Sequence, residues 1–373
     1  MRILFLEAFF GGSHRAFAEG LRRHSRHRIE LITLPDRFWK WRMRGAALQM
    51  ARRLPPLKDV DLIMATNMLS LADMRALLPP GHPPLLVYFH ENQLTYPVAR
   101  GDRRDVHFGF TDITTALAAE QVWFNSHSHR KAFLAALPNF LRQMPDARPN
   151  WITDAIRRKA SVLYPGCEFP PHQTTGSNAA PTADAPPLII WNHRWEFDKD
   201  PETFFEALYE LAAREAPFQV AVLGQCFQDQ PKCFLAARER LGNRIVQFGY
   251  AATPEAYHRW LARGHVVVST ARQENFGFSI VEAVRQGCLP LVPRRLSYPE
   301  IIPEAFHDLC LYATDAECLR KLEAILRRHH AYQAERAALK QAMTRYAWQE
   351  RIGEFDAQLE AAARDRTAGA HRR

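Results

Sequence analysis

Glu274-Asn275-Phe276-Gly277-Phe278-Ser279-Ile280-Val281-Glu282-Ala283-Val284-Arg285-Gln286-Gly287 is the stretch around which the rest of this chain is arranged. The apolar run 265–270 before it reads as a buried strand. Gly277 permits a tight backbone passage, and residues 279–286 read as a helix ended by Gly287. Glu274 is therefore expected in a strand-to-helix loop and Glu282 on the helix that follows. In open parallel sheets, ligands collect at the carboxyl ends of strands, where such loops and helix N-termini point. Two carboxylates placed there can hold two hydroxyl-bearing parts of one ligand, such as a ribose and a sugar. Alone, the pair would read equally as a loop charge and a solvated helix residue.

A second constellation lies upstream. Residues 188–191 open a strand that runs into Asn192-His193-Arg194-Trp195-Glu196-Phe197-Asp198-Lys199-Asp200-Pro201. Arg194 and Lys199 stand five apart in a loop before a helix, where two cations can clamp a diphosphate and stabilise it as a leaving group. Glu-x7-Glu with Phe-Gly inside, preceded by Arg-x4-Lys, resembles the donor site of retaining GT-B glycosyltransferases of family four. The resemblance implies that Arg194 and Lys199 hold the nucleotide diphosphate, that Glu282 binds the ribose and that Glu274 lies near the transferred sugar. Phe276 and Gly277 join the donor site through their backbone. These enzymes are usually metal-independent, so neither metal nor cofactor is expected. The implied fold class is α/β, with two Rossmann-like domains facing across a cleft and a C-terminal helix returning to the first.

Composition agrees with that scale. A chain of 373 residues accommodates two domains, and 47% hydrophobic with 24% charged residues belongs to a soluble globular protein. No apolar run approaches the ~20 residues of a membrane span, and no signal peptide is expected before the first strand. The six cysteines are scattered without a C-x-x-C pair, which fits a reduced, cytoplasmic protein. His127 and His129 have no carboxylate or cysteine at metal-ligand spacing. Boundaries are expected at 1–165 for a first domain, 166–187 for a Gly/Pro/Ser/Thr/Ala-rich linker, 188–345 for a second domain, and 346–373 for the returning helix and tail.

The net charge of +9 is unevenly placed. Residues 1–165 carry 24 Lys and Arg against 14 Asp and Glu, whereas 166–373 carry 25 against 26. The first half thus holds all of the excess, which favours a polyanionic partner there, either nucleic acid or an anionic membrane surface.

The first half reads as β/α units. The strand 2–10 leads into Gly11-Gly12-Ser13-His14, a turn with Ser13 expected to cap a helix from Arg15, and a position that can receive phosphate or a sugar. After the strand 28–34 comes Asp36-Arg37-Phe38-Trp39-Lys40-Trp41-Arg42-Met43-Arg44 on a helical pattern. Bases interleaved with aromatics can pair phosphates and stack nucleobases. Trp39 and Trp41, two apart on a helix, cannot both face one core, so one ring is expected outside. The strand 85–89 delivers His90-Glu91-Asn92-Gln93 at its carboxyl end, and 121–124 delivers Asn125-Ser126 ahead of another helix.

These N-terminal stretches, Phe5 to His14, Leu34-Pro35 with Trp39 to Arg42, Tyr88 to Pro97 and Phe124-Asn125-Ser126, look like those of the tRNA-queuosine alpha-mannosyltransferases. The resemblance runs over nearly the whole chain and is strongest in 1–165. It implies transfer of mannose from GDP-mannose to queuosine at the wobble position of tRNA-Asp, with retention; no protein partner is evident in the sequence. The residues themselves show a sugar-donor site in the second half and a basic, aromatic surface in the first. His90 and Glu274 are the candidates for the catalytic centre, with the role of His90 as acid, base or sugar contact left open by the sequence. Gly11, Gly12, Ser13, His14, Trp39, Lys40, Trp41, Arg42, Arg44, Glu91, Asn92 and Asn125 are the acceptor-side candidates. Two rival readings remain: a lipid or polysaccharide acceptor, and a tRNA-binding protein with an inactive donor domain.

Overall fold

Two parallel six-stranded sheets, each sandwiched by helices, make up the computed structural model, which describes residues 1–99, 101–169, 185–225 and 231–369. The chain divides into one unit of Met1–Glu168 with Tyr346–Arg373 and another of Phe169–Arg345. Of the expected linker, residues 170–184 lie outside the described residues.

The first sheet contains β1 (Arg2–Phe10), β2 (Arg28–Pro35), β3 (Leu62–Thr66), β4 (Leu85–Phe89), β5 (Gln121–Phe124) and β6 (Ala160–Val162) in the order β2-β1-β3-β4-β5-β6. Every residue of β3 and β4 is buried, as a strand covered on both faces requires. Alternation along β1 splits the core into two layers. Leu4 and Leu6 pack with Met43, Met50, Phe133 and Phe140 on one face. Ile3 and Phe5 pack with Phe17, Leu21, Trp348 and Phe355 on the other.

The second of those layers includes the C-terminal helix Trp348–Gly369, so the end of the chain completes the core of the first unit. Its entry is pinned by a short parallel bridge between Cys167 and Ala347, with the Cys167 N–H donating to Tyr346 O at 2.7 Å. The fully buried Trp348 ring occupies the space that a Cβ on Gly20 or Gly166 would need, so both positions require glycine for packing. Ser25 Oγ donates to Asp356 Oδ1 at 2.5 Å and the Arg26 N–H to Asp356 Oδ2 at 3.1 Å, tying the middle of that helix to the same unit.

The second sheet contains β7 (Leu188–Asn192), β8 (Gln219–Leu223), β9 (Ile245–Gly249), β10 (Val266–Val268), β11 (Leu289–Pro293) and β12 (Leu311–Tyr312) in the order β12-β11-β10-β7-β8-β9. The order turns back between β7 and β10. In the first sheet it turns back between β1 and β3. Crevices at such points, outside the carboxyl ends of the strands, are where this class of sheet binds ligands. No helix among the described residues is long and apolar enough to cross a membrane.

Local expectations are met with two differences. The helix after β10 spans Phe278–Gln286, with Gly277 at φ 100° before it and Gly287 at φ 106° after it, both left-handed. The helix after β1, however, starts at Gly12 and not at Arg15, with Gly11 as its N-cap. Ser13 therefore lies inside the first turn and caps nothing, because the N-cap falls two residues sooner, at Gly11, and Gly12 at φ +49° opens the turn. The strand expected over 265–270 is shorter, Val266–Val268; the Ser269 N–H still donates to Leu291 O at 3.1 Å, while Ser269 Oγ meets the Tyr298 hydroxyl and Thr270 Oγ1 donates to the carbonyls of Lys199 and Asp200.

Candidate functional site

In the second unit, the loops that follow β7 and β10 meet at the point where the strand order turns back. Lys199 is buried there. Its Nζ donates to Gln273 O at 2.7 Å and lies 3.4 Å from Glu274 Oε2 and 3.2 Å from Asp198 Oδ2. Burial alone would lower its pKa, but the carboxylates of Glu274 and Asp198 outweigh that and raise it, so the ammonium stays charged. A buried ammonium kept charged in this way can stabilise negative charge placed beside it. Arg194 is more exposed and pairs with Glu196 at 3.2 Å. Its positive charge is also felt at Lys199 and at the buried His193, whose pKa is held well below the usual value by burial, Lys199 and Arg194.

Glu282 sits one turn into the helix Phe278–Gln286. Tyr257 donates its hydroxyl to Glu282 Oε2 at 2.9 Å, and Asn192 Nδ2, from the end of β7, donates to that same hydroxyl at 2.9 Å and to Ser279 O at 2.8 Å. Desolvation pushes the Glu282 carboxyl up to about 7, with the Tyr257 hydroxyl pulling the other way. Phe276, expected to contribute through its backbone, buries its side chain completely, and its carbonyl accepts from Ser297 Oγ at 2.9 Å. Gly277 supplies the left-handed turn that carries the chain from Glu274 to the helix.

In the first unit, His90 follows β4. Its N–H donates to Asn67 Oδ1 at 3.2 Å, and its carbonyl accepts from Asn125 Nδ2 at 2.9 Å. Its ring lies 4.2 Å from that of His14 and 4.9 Å from those of Phe17 and Tyr88. Burial, then His14, then His129, hold its pKa well below the usual range, so the ring is neutral at pH 7. That electrostatic setting favours a polar contact over an acid. His14, at the start of the first helix, is 3.1 Å from Glu7 Oε2 through its Nδ1. Glu7, His14 and His90 are all buried, and each offers a ligand atom within 4.8 Å of the others, a spacing within reach of a metal ion.

Other acceptor-side candidates divide between framework and surface. Asn92 is fully buried, with its amide bonded to Thr95 Oγ1 at 2.8 Å and to the Thr95 N–H at 2.9 Å. Asn125 is also buried and links His90 O to His129 Nδ1. Both therefore help to shape the loop that carries His90. Gly11 is buried, Gly12 and Ser13 are exposed, and Glu91 is half-buried within 3.5 Å of Gln93 Nε2.

On the helix Trp39–Ala51, Trp39 packs inward on Phe108 with ring centroids 5.0 Å apart, whereas Trp41 is 77% exposed. Lys40 lies over the Trp39 ring, Arg42 donates to Pro35 O at 3.3 Å, and Arg44 donates to Thr111 Oγ1 at 3.1 Å. Phe38, in a left-handed conformation before the helix, is 69% exposed, which extends the outward aromatic surface beyond Trp41.

Several positions went unnoticed in the sequence. Glu7 and Asp112 are buried carboxylates, and Tyr257 is the donor to Glu282. Asp112 accepts from the Gln93 N–H, and Arg104 holds the carbonyls of Gln93 and Tyr96, so together they clamp the loop after His90. The one available signal was Asp112 itself, the single carboxylate of the helix Val106–Ala118 and one that lies on its buried face.

Comparisons with known proteins fit this layout. Residues 2–167 match the family described as tRNA-queuosine alpha-mannosyltransferase N-terminal, and residues 174–342 match glycosyl transferases group 1. A tRNA-queuosine alpha-mannosyltransferase of Drosophila melanogaster is 36% identical over 344 residues, 90% of this chain and 89% of that protein. Among solved structures, Anabaena HepE in complex with UDP and glucose is similar with a TM-score of 0.68 at 15% identity, over 97% of this chain and 100% of that one. Sucrose-phosphate synthase from Thermosynechococcus elongatus gives 0.69 at 14% identity, over 97% and 100%. At that identity the two structures speak for the fold alone, which is GT-B. With the Drosophila protein alike across both halves, the chain belongs to the tRNA-queuosine alpha-mannosyltransferase family and is a glycosyltransferase.

Proposed function

We propose that the protein moves mannose from GDP-mannose to queuosine at the wobble position of tRNA-Asp, with retention at the anomeric carbon, in the cytoplasm and without a metal. In this reading the bond between the sugar C1 and the diphosphate breaks as a bond from C1 to an acceptor hydroxyl forms. Lys199 and Arg194 stabilise the departing diphosphate, Glu282 accepts from the ribose hydroxyls, and Glu274 lies at the sugar hydroxyls. His90, neutral and buried, contacts the sugar or the acceptor hydroxyl.

One observation carries the acceptor half. The helix Trp39–Ala51 turns Trp41 outward among Lys40, Arg42 and Arg44, in the half of the chain that holds all the excess positive charge. An exposed ring flanked by cations can stack a base while its neighbours pair phosphates. The test is to incubate the protein with total tRNA from queuosine-containing cells and several nucleotide sugars, then look by mass spectrometry for a hexose on the wobble nucleoside.

A second reading has its own support. Leu48, 64% exposed on the same helix, adds apolar surface to that basic face, as an anionic lipid surface would favour. Binding to anionic liposomes but not to tRNA would select a lipid-linked acceptor. An inactive donor half is disfavoured by the intact cluster of Lys199, Glu274 and Glu282 with its bonding partners.

A further inference from the structure

Glu7 is a buried carboxylate that the donor chemistry leaves unused. It lies on β1 with 0% exposure, beside the point where the first sheet's strand order turns back. Burying a carboxylate is costly unless its oxygens are hydrogen-bonded. Here Oε1 accepts from the Phe9 N–H at 2.9 Å and from Thr66 Oγ1, at the end of the neighbouring β3, at 3.0 Å. Oε2 is 3.1 Å from His14 Nδ1. An ionised carboxylate only accepts, so this contact puts a proton on Nδ1 and, in a neutral ring, makes Nε2 the acceptor nitrogen. The His14 ring meets His90 at 4.2 Å, so whatever fixes one ring constrains the other.

We propose that Glu7 is a positioning residue that locks His14 in the Nδ1–H tautomer, so that the His14–His90 pair meets the acceptor nucleoside with a fixed arrangement of donor and acceptor nitrogens. The role toward the nucleoside rests on the reading that the first unit receives the acceptor. The same three side chains are close enough to share a metal ion. The carboxylate is already taken up by an amide, a hydroxyl and an imidazole, which favours the hydrogen-bonded pair.

The test has two arms. In the first, long-range proton–nitrogen correlation on 15N-histidine-labelled protein reads the tautomer of His14, assigned with His14→Asn. The wild type is expected in the Nδ1–H form and Glu7→Gln out of it, because the amide now presents N–H to Nδ1. An Nε2–H tautomer in the wild type, or one equivalent of transition metal in the purified protein, overturns the proposal. This arm needs no substrate, and the wild-type result decides it even if Glu7→Gln does not fold.

In the second arm, Glu7→Gln lowers kcat for transfer to tRNA about tenfold or more, as a wrong tautomer does elsewhere, with the nucleotide-sugar Kd unchanged. In a His14→Asn background the same substitution has no further effect. A full, multiplicative loss in that background overturns action through His14. If His14→Asn alone transfers at the wild-type rate while the tautomer is as expected, the acceptor reading of this unit fails and the Glu7–His14 pairing stands.

Discussion

Glu282 should make nucleotide-sugar binding depend on pH in a way that a surface carboxylate would not. Its carboxyl is raised from an ordinary 4.5 to about 7, chiefly by desolvation. The gap of about 2.5 pH units corresponds to about 3 kcal/mol between folded and unfolded states. Because the folded value is the higher one, this contribution to stability is fully present below about pH 4.5 and is lost as pH rises through about 7. Ribose hydroxyls donate to a carboxylate, so binding draws on the ionised form. With a pKa of about 7, roughly one molecule in eleven is ionised at pH 6 and ten in eleven at pH 8, so affinity should weaken about tenfold from pH 8 to pH 6, or about 1.4 kcal/mol. Calorimetry with an intact nucleotide sugar is the appropriate assay, since its diphosphate has no proton to lose near neutrality. At pH 7 the measured enthalpy should vary with the buffer's ionisation heat by about half a proton released. Glu282→Gln should bind more weakly and lose both the pH trend and the buffer dependence. A wild-type Kd that stays flat between pH 6 and 8, or a slope that persists in Glu282→Gln, would refute the assignment of Glu282 to the ribose.

Trp41→Ala should cost roughly 1–3 kcal/mol of tRNA affinity if a base stacks on the ring and leave the melting temperature unchanged, because the side chain is exposed. Trp39→Ala should do the reverse and lower the melting temperature, since that ring packs on Phe108. A stability loss in the first or a selective affinity loss in the second would invert the roles. Replacing Lys40, Arg42 and Arg44 together with Ala should weaken tRNA binding and flatten its dependence on salt, with nucleotide-sugar affinity unchanged. An unaltered salt slope would remove this helix from the phosphate contacts. Gly20→Ala should destabilise the protein by about 1–3 kcal/mol or more by forcing the buried Trp348 ring aside, measured by denaturant titration.

What the sequence made legible was local. Gly277 and Gly287 bracket the helix that carries Glu282 because each must adopt a left-handed conformation, and a glycine at the end of a periodic run announces that. The opposite facing of Trp39 and Trp41 follows from helical geometry alone. Ser13 misled because a serine before a helical run is a strong cap signal, while Gly11, two residues earlier, takes the cap position.

The parts that stayed hidden are pairings between residues far apart in the chain. Thr66 reaches Glu7 from 59 residues away, and Tyr257 reaches Glu282 from 25. Polarity at a strand's end does not say whether a side chain faces a ligand or braces a loop. Asn92 and Asn125 look like site residues in the sequence, which does not show that their side chains also bond Thr95 and His129 beside the His90 loop.

The account's central claim is that the donor cluster of the second unit serves a queuosine-bearing acceptor held by the first. Its most direct measurement is the initial rate of label incorporation from GDP-[14C]mannose into tRNA from queuosine-containing cells, beside tRNA from cells that lack queuosine. The account predicts incorporation into the first tRNA alone, lost with Lys199→Ala. Equal incorporation into both, or none into either while anionic lipid or glycan acceptors are labelled, would contradict it.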